Sequence, residues 1–226
     1  MLQTIHTSLR RHVQLWSNRK FLISVLAHSL FLVVSIFFTY LASSYNDGYT
    51  SGYIVPDLLL DHIPIVDVSY LFFQGAFFFG ISVVAVFLFI PESIPFALIT
   101  SAFFFATRAL FMTMTHLTAP FIAHYSFIEY EHHVPQVVFS LTSGNDLFFS
   151  GHAGFPFLLA LIFWSFKPIR HYFLMCSILA SIIVIVGHLH YSIDVFSAFF
   201  ITYGIFEIAK RIFKKEYLFF KNNENV

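Results

Sequence analysis

Two short stretches of this chain combine histidine with a carboxylate and small polar residues: Asp146-Leu147-Phe148-Phe149-Ser150-Gly151-His152 and His190-Tyr191-Ser192-Ile193-Asp194. Residues four apart share a helix face, so Asp194 is expected to accept a hydrogen bond from one ring nitrogen of His190. The other nitrogen is then left unprotonated and directed at a substrate. An imidazole held in this way is a nucleophile, and His152 on a neighbouring segment is free to act first as acid and then as base. Arg108 is the third candidate, because it stands in a long apolar run. An arginine at the centre of a membrane span costs roughly 2.5 to 3.5 kcal/mol on insertion scales, so it is expected to face the bundle interior and meet a partner. Its planar fork suits a phosphate. The alternative is neutralisation by Asp194, Asp146 or Glu207 for packing alone.

These side chains need a scaffold, and the composition says which kind. Of 226 residues 58% are hydrophobic and 11% charged, and the mean hydropathy is +0.78. Such values exclude an ordinary soluble domain. A helix rising about 1.5 Å per residue needs about 20 residues to cross a hydrocarbon core of about 30 Å. Six segments qualify: Phe21 to Leu41, Tyr70 to Ile90, Ile94 to Leu117, Leu147 to Phe166, Tyr172 to His190 and Ser192 to Phe213. The expected fold is all-α, a polytopic bundle of six transmembrane helices over residues 21–213. Ahead of it, Ile5, Leu9, Val13 and Trp16 recur at helical spacing beside Arg10, Arg11 and Arg19, which predicts an amphipathic interfacial helix within residues 1–20. Residues 214–226 are expected to form a polar tail. The first span lacks a small-residue cleavage site and reads as retained. The single cysteine, Cys176, lies inside the fifth span and says nothing of redox compartment.

Charge orients the bundle. With six spans, eleven of the twelve Lys and Arg residues fall on one side, in three groups: before the first span, between the fourth and fifth, and after the sixth; Arg108 is the exception. Positive residues prefer the cytoplasm. Both termini are therefore expected to be cytoplasmic, with Asp47, Asp57, Asp61, Asp67, Glu129, Glu131 and Asp146 on the outer face beside His152 and His190. The two outer connections, Ala42 to Ser69 and Thr118 to Asp146, are long, as expected for a face that carries a site.

The two histidine motifs, with Arg108, resemble the sphingomyelin synthase branch of the type-2 phosphatidic acid phosphatase superfamily. Val55-Pro56-Asp57-Leu58-Leu59-Leu60-Asp61-His62-Ile63-Pro64 is similar to that branch's Pro-Asp loop, and Arg108-Ala109-Leu110-Phe111-Met112-Thr113 to its arginine-containing third span. The four motifs stand in the family's order and cover most of residues 54 to 204. The resemblance implies that His190 attacks phosphorus, Asp194 orients it, and His152 protonates the leaving alkoxide. Arg108 would hold the phosphate oxygens, with no metal and no cofactor. Asp57, Ser150, Gly151 and Asp146 join Arg108 as substrate-binding candidates. The chain departs from the superfamily's phosphatase signature: Arg108 is followed by Ala109 with no nearby lysine, and Ser150-Gly151-His152 is followed by Ala153 rather than threonine.

The expected activity is transfer of a phosphocholine-like headgroup from a glycerophospholipid to ceramide or another lipid alcohol, releasing diacylglycerol. The alternatives are a lipid phosphatase or phospholipase-C-like hydrolase, and a non-enzymatic transporter or scaffold in which the histidines relay protons. The expected partners are membrane lipids and not nucleic acid. The membrane is a bacterial inner membrane in preference to a Golgi membrane, with the site periplasmic or luminal. Glu129, Glu131, His132 and His133 are read as surface residues rather than zinc ligands, and His188 as a packing residue or one that supports the site from behind. His116 and His124 have position alone to recommend them as pocket residues. His28 is expected to be a neutral imidazole bonded across helices. Asp57 and Asp61, with Tyr49, Tyr53 or Tyr70, are candidates to attract a quaternary ammonium.

Overall fold

A computed structural model describes residues 2–47, 54–117, 120 and 147–223. Every regular element among them is helical. The amphipathic pattern at the start of the chain becomes α1 (Leu2–Trp16), whose Leu9, Val13 and Trp16 are exposed, as an interfacial helix requires. On its other face Arg11 makes a bidentate ion pair with Glu92, a residue only 5% exposed in the turn between the second and third long helices. Asn18 ends α1 and starts α2 (Arg19–Asp47), its side-chain oxygen accepting the backbone N–H of Lys20 at 3.0 Å.

The next long helices are α3 (Ser69–Phe89) and α4 (Ile94–Met114), joined by a single 3-10 turn over Pro91–Ser93. Asp67 starts α3 by accepting the hydroxyl and the N–H of Ser69 at 2.7 and 3.0 Å. Those two bonds, against a small opposing effect of burial, hold its carboxyl below the ordinary value. Helices α2 and α4 pack closely because small residues, Ala42 and Ala109, meet between them. Polar side chains fasten the seam: Thr39 donates to the Phe105 carbonyl at 3.2 Å and Asn46 to the Met112 carbonyl at 2.9 Å. His28 reaches across the same pair, its Nδ1 lying 3.1 Å from the Pro95 carbonyl oxygen.

The remaining helices are α5 (Gly151–Ile162), α6 (Lys167–Val186), α7 (Ser192–Ile212) and α8 (Lys214–Asn222). Helix α5 is the centre of the bundle, with Ala153, Leu158, Leu159 and Ala160, and Phe163 just past its end, at most 1% exposed. Five of the helical segments, those of α2, α3, α4, α6 and α7, are long and apolar enough to cross a membrane. The chain is a multi-pass, all-α membrane protein.

The expected fourth span, Leu147 to Phe166, is not one continuous helix. Only 12 of its residues are helical, a length of about 18 Å at 1.5 Å per residue. Hydropathy cannot separate a helix from buried irregular backbone, and non-helical backbone is tolerated at membrane depth where protein surrounds it. That is the case here: Ser150 donates its N–H to the Asp194 carbonyl at 3.0 Å, and the Phe149 carbonyl accepts from Arg108 at 2.8 Å.

Two more boundaries move. The fifth span begins earlier and ends at Val186, because Gly187 closes the helix and His188 follows in the left-handed region at φ 52°. His190 therefore precedes α7 rather than belonging to a helix. The polar tail also folds: α8 drives Phe220, fully buried, between Phe163 and Phe166.

Candidate functional site

Ser150 fixes the first half of the site. It is the N-cap of α5, with its Oγ accepting the Ala153 N–H at 3.4 Å, which leaves Gly151 and His152 in the helix's first turn. The partial positive charge and unbonded N–H groups of such a turn favour an anion. The bond from the Ser150 N–H to the Asp194 carbonyl ties this turn to the start of α7. The two histidine motifs are thus coupled backbone to backbone, and the His152 and His190 rings lie 5.8 Å apart, centroid to centroid.

Asp194 is the third residue of α7. Its Oδ2 reaches back to the Tyr191 N–H at 3.1 Å, the return half of a capping box. The same oxygen lies 3.6 Å from His190 Nδ1, just beyond hydrogen-bond reach. Spacing along a helix face does not explain this approach, since His190 is outside the helix; the capping geometry does. Among the described residues, His190 Nδ1, Asp194 Oδ1 and His152 Nδ1 are buried without a hydrogen-bond partner. Buried polar atoms left without partners are costly for folding alone.

Arg108 is 3% exposed, and its Nε donates to the Phe149 carbonyl at 2.8 Å. The guanidinium lies flat against Gly151: a β-carbon there would stand 2.9 Å from Cζ and 3.0 Å from Nη1. The glycine beside His152 is the space through which the arginine reaches the turn. Glu207, one of the acids weighed as a neutraliser of Arg108, pairs instead with Lys210 at 2.7 Å.

Asp57 has its carboxylate engaged with the protein. Its Oδ1 accepts from the Leu59 and Leu60 N–H groups at 2.9 and 3.2 Å, and its Oδ2 from the Ser192 N–H and hydroxyl at 2.8 and 2.9 Å. Burial raises its carboxyl, but the hydrogen bonds from Leu60, Ser192 and Leu59 outweigh that and hold it below the ordinary value. Asp61 and Tyr70 are exposed, as is His116, whose ring sits 5.6 Å from that of Tyr45. Asp146, His124, Tyr49, Tyr53 and the Glu129 to His133 cluster lie outside the described residues. Among the described residues no group of three or more His, Cys, Asp or Glu is placed to hold a metal ion.

Two further residues border the paired histidines. Phe72, in the first turn of α3, sets its ring 4.6 Å from that of His152; it is one phenylalanine among 33. His188 carries the turn before His190, and its Nε2 lies 3.1 Å from the Ile63 carbonyl.

One external observation bears on this geometry. Residues 143–211 match the family model of the PAP2 superfamily C-terminal domain. The matched segment contains Ser150, Gly151, His152, His190 and Asp194, so it coincides with the coupled turns of α5 and α7. It supports the type-2 phosphatidic acid phosphatase superfamily and does not single out the sphingomyelin synthase branch. Arg108 and the loop around Asp57 lie outside it and rest on their geometry. No curated protein and no solved structure matches the chain. A match to this superfamily's model suggests phosphatase or phosphotransferase activity on lipids.

Proposed function

We propose that the protein is a lipid phosphotransferase that carries a phosphocholine-like headgroup from a glycerophospholipid to ceramide or another lipid alcohol through a phosphohistidine at His190. The observation that supports it best is the facing pair of imidazoles, 5.8 Å apart, with the Arg108 guanidinium beside the turn that carries one of them. Arginine and the first N–H groups of α5 together suit the charge of a phosphoryl group in transfer.

The chemistry runs in two displacements. His190 Nε2 attacks phosphorus while Asp194, on the Nδ1 side, stabilises the imidazolium that forms. The bond from phosphorus to the glycerol oxygen breaks, and His152 delivers its proton to that oxygen, releasing diacylglycerol. In the second step His152 takes the proton from the acceptor hydroxyl, the new alkoxide attacks phosphorus, the bond from phosphorus to His190 Nε2 breaks, and His190 returns to its resting form. Positioning of the two alcohols supplies much of the rate, since well-oriented groups gain effective molarities on the order of 10⁵ M or more. The site opens on the non-cytoplasmic face in this reading, with both termini cytoplasmic.

A second reading keeps the first step and lets water take the place of the lipid alcohol, giving a phospholipase-C-like hydrolase or phosphatase. The superfamily match favours it as much as transfer. Purified protein in vesicles containing headgroup-labelled phosphatidylcholine, with and without ceramide, separates them. Label on a lipid acceptor supports transfer, and free phosphocholine indifferent to added acceptor supports hydrolysis. Absence of turnover with any phospholipid or phosphatidic acid donor sinks both. His190→Ala is expected to abolish headgroup release, and residual wild-type activity would remove His190 from the mechanism.

A further inference from the structure

Residues 54–68 run along the segment that carries His190, and four links join them. Val55 donates its N–H to the Tyr191 hydroxyl at 3.3 Å, and Asp57 accepts from Ser192. The Ile63 carbonyl accepts from His188, and Val66 donates its N–H to the Val186 carbonyl at 3.2 Å. After the first two links the partner number falls as the loop number rises, so the loop lies antiparallel to residues 186–192 as a strap. Leu60 packs against Tyr191 and Leu147 beneath it.

The strap meets the chain where it is least able to hold itself. His188 adopts φ 52°, a left-handed conformation that a β-carbon disfavours. The Ile63 carbonyl, which only accepts, holds it there by fixing the proton on His188 Nε2. At the other end, Ser192 opens α7 and its N–H has no partner within the helix. Asp194 takes the Tyr191 N–H one residue earlier. Asp57 supplies the missing acceptor from a loop 135 residues away in sequence, and its charge is favoured at that end of the helix dipole. His190 lies between these two fastenings.

We propose that Asp57 is a positioning residue that sets the His190 imidazole against Asp194 and His152 by clamping Ser192, rather than a ligand of a cationic headgroup. Its catalytic consequence rests on the phosphohistidine reading above; the clamp itself does not. With all its near hydrogen-bonding capacity turned to Leu59, Leu60 and Ser192, the carboxylate acts on the reaction through the backbone of residues 190–192. Loss of the clamp is expected to lower kcat about 10- to 100-fold, the scale of an error near 1 Å in a reacting group, with KM unchanged.

The test compares Asp57→Asn, Asp57→Ala, Ser192→Ala and the double variant Asp57→Ala with Ser192→Ala in detergent micelles and vesicles. The imidazole nitrogens are labelled with ¹⁵N, and the His190 resonances are assigned by their loss in His190→Gln. In Asp57→Ala these resonances are expected to shift or broaden while those of His28 stay in place. The kcat loss should be equal for phosphocholine and phosphoglycerol donors, smaller in Asp57→Asn, which keeps one acceptor oxygen, and less than additive with Ser192→Ala. Unmoved His190 resonances overturn the proposal. So does a KM increase confined to choline donors, or a loss that only tracks the folded fraction. If the wild-type protein turns over no donor, the functional reading fails, and the resonances still decide whether Asp57 sets His190.

Discussion

Replacing Gly151 by alanine puts the Arg108 site under the most direct strain that one methyl group can supply. The added Cβ would stand 2.9 Å from Arg108 Cζ, 3.0 Å from Nη1 and 3.2 Å from Nε, against 3.4 Å or more for ordinary contact. The guanidinium must therefore retreat by about half an ångström or more, or the helix turn must move away from it. Arg108 cannot swing freely, because it is buried and its Nε is bonded to the Phe149 carbonyl. Overpacking costs about 1 to 3 kcal/mol, partly offset by up to about 1 kcal/mol from alanine's better helix propensity. The net loss of stability is then about 0 to 3 kcal/mol, small enough to leave folded protein. The loss of function is expected to be larger: a displacement of this size between a phosphate-binding fork and the reacting phosphorus lowers kcat about 10- to 100-fold. The assay is headgroup release from labelled phosphatidylcholine in vesicles, with thermal unfolding in parallel. Gly80→Ala is the control, because nothing lies within 4 Å of a β-carbon there. Wild-type kcat in Gly151→Ala would refute the argument that Arg108 works through the space this glycine leaves.

Acid should weaken the strap at a defined step. The Asp57 carboxyl is held below its ordinary value in the folded protein, so its contribution to stability is fully present above that ordinary value. It is lost as pH falls through the depressed one. Unfolding monitored between about pH 5 and 2 should therefore show a shallower acid limb in Asp57→Asn than in wild type, and identical limbs would count against the bonds to Leu60 and Ser192. At the opposite end of the bundle, Arg11→Met leaves the Glu92 carboxylate buried without its partner, a change of about 1 to 3 kcal/mol readable as a lower unfolding temperature. Adding Glu92→Gln should recover part of it. For topology, cysteines at the exposed Leu58 and at Lys167 are expected to react with an impermeant thiol reagent from opposite faces of a sealed vesicle; labelling from one face contradicts the orientation.

Much of the fold was legible because burial in lipid demands long apolar helices, and the sequence writes those out directly. The spans near Phe21, Tyr70, Ile94 and Ser192 needed only small corrections. The amphipathic α1 followed from the spacing of Leu9, Val13 and Trp16. The break of the expected fourth span into irregular backbone around α5 was hidden, because Phe148, Phe149, Phe163, Trp164 and Phe166 are apolar whether or not they are helical. Helix α8 was hidden for the opposite reason. Its composition is polar, and one buried phenylalanine, Phe220, decides its fate through packing against residues some 55 positions earlier.

At the candidate site, residue types, their order and the family resemblance pointed to His152, His190, Asp194 and Arg108, since an apolar chain makes such side chains conspicuous. What they do to one another was not contained in that list. The approach of Asp194 to His190 comes from a capping box at the start of α7, the room for Arg108 from the missing side chain of Gly151, and the cover on His152 from Phe72. Asp57, a candidate for the headgroup by residue type, has its carboxylate bonded to Leu59, Leu60 and Ser192. Apart from the local capping box, these arrangements depend on contacts between positions about 40 to 140 residues apart, and hydrogen bonds and excluded volume act only between atoms that touch. Sequence therefore fixes which groups are available, and tertiary structure fixes which of them meet.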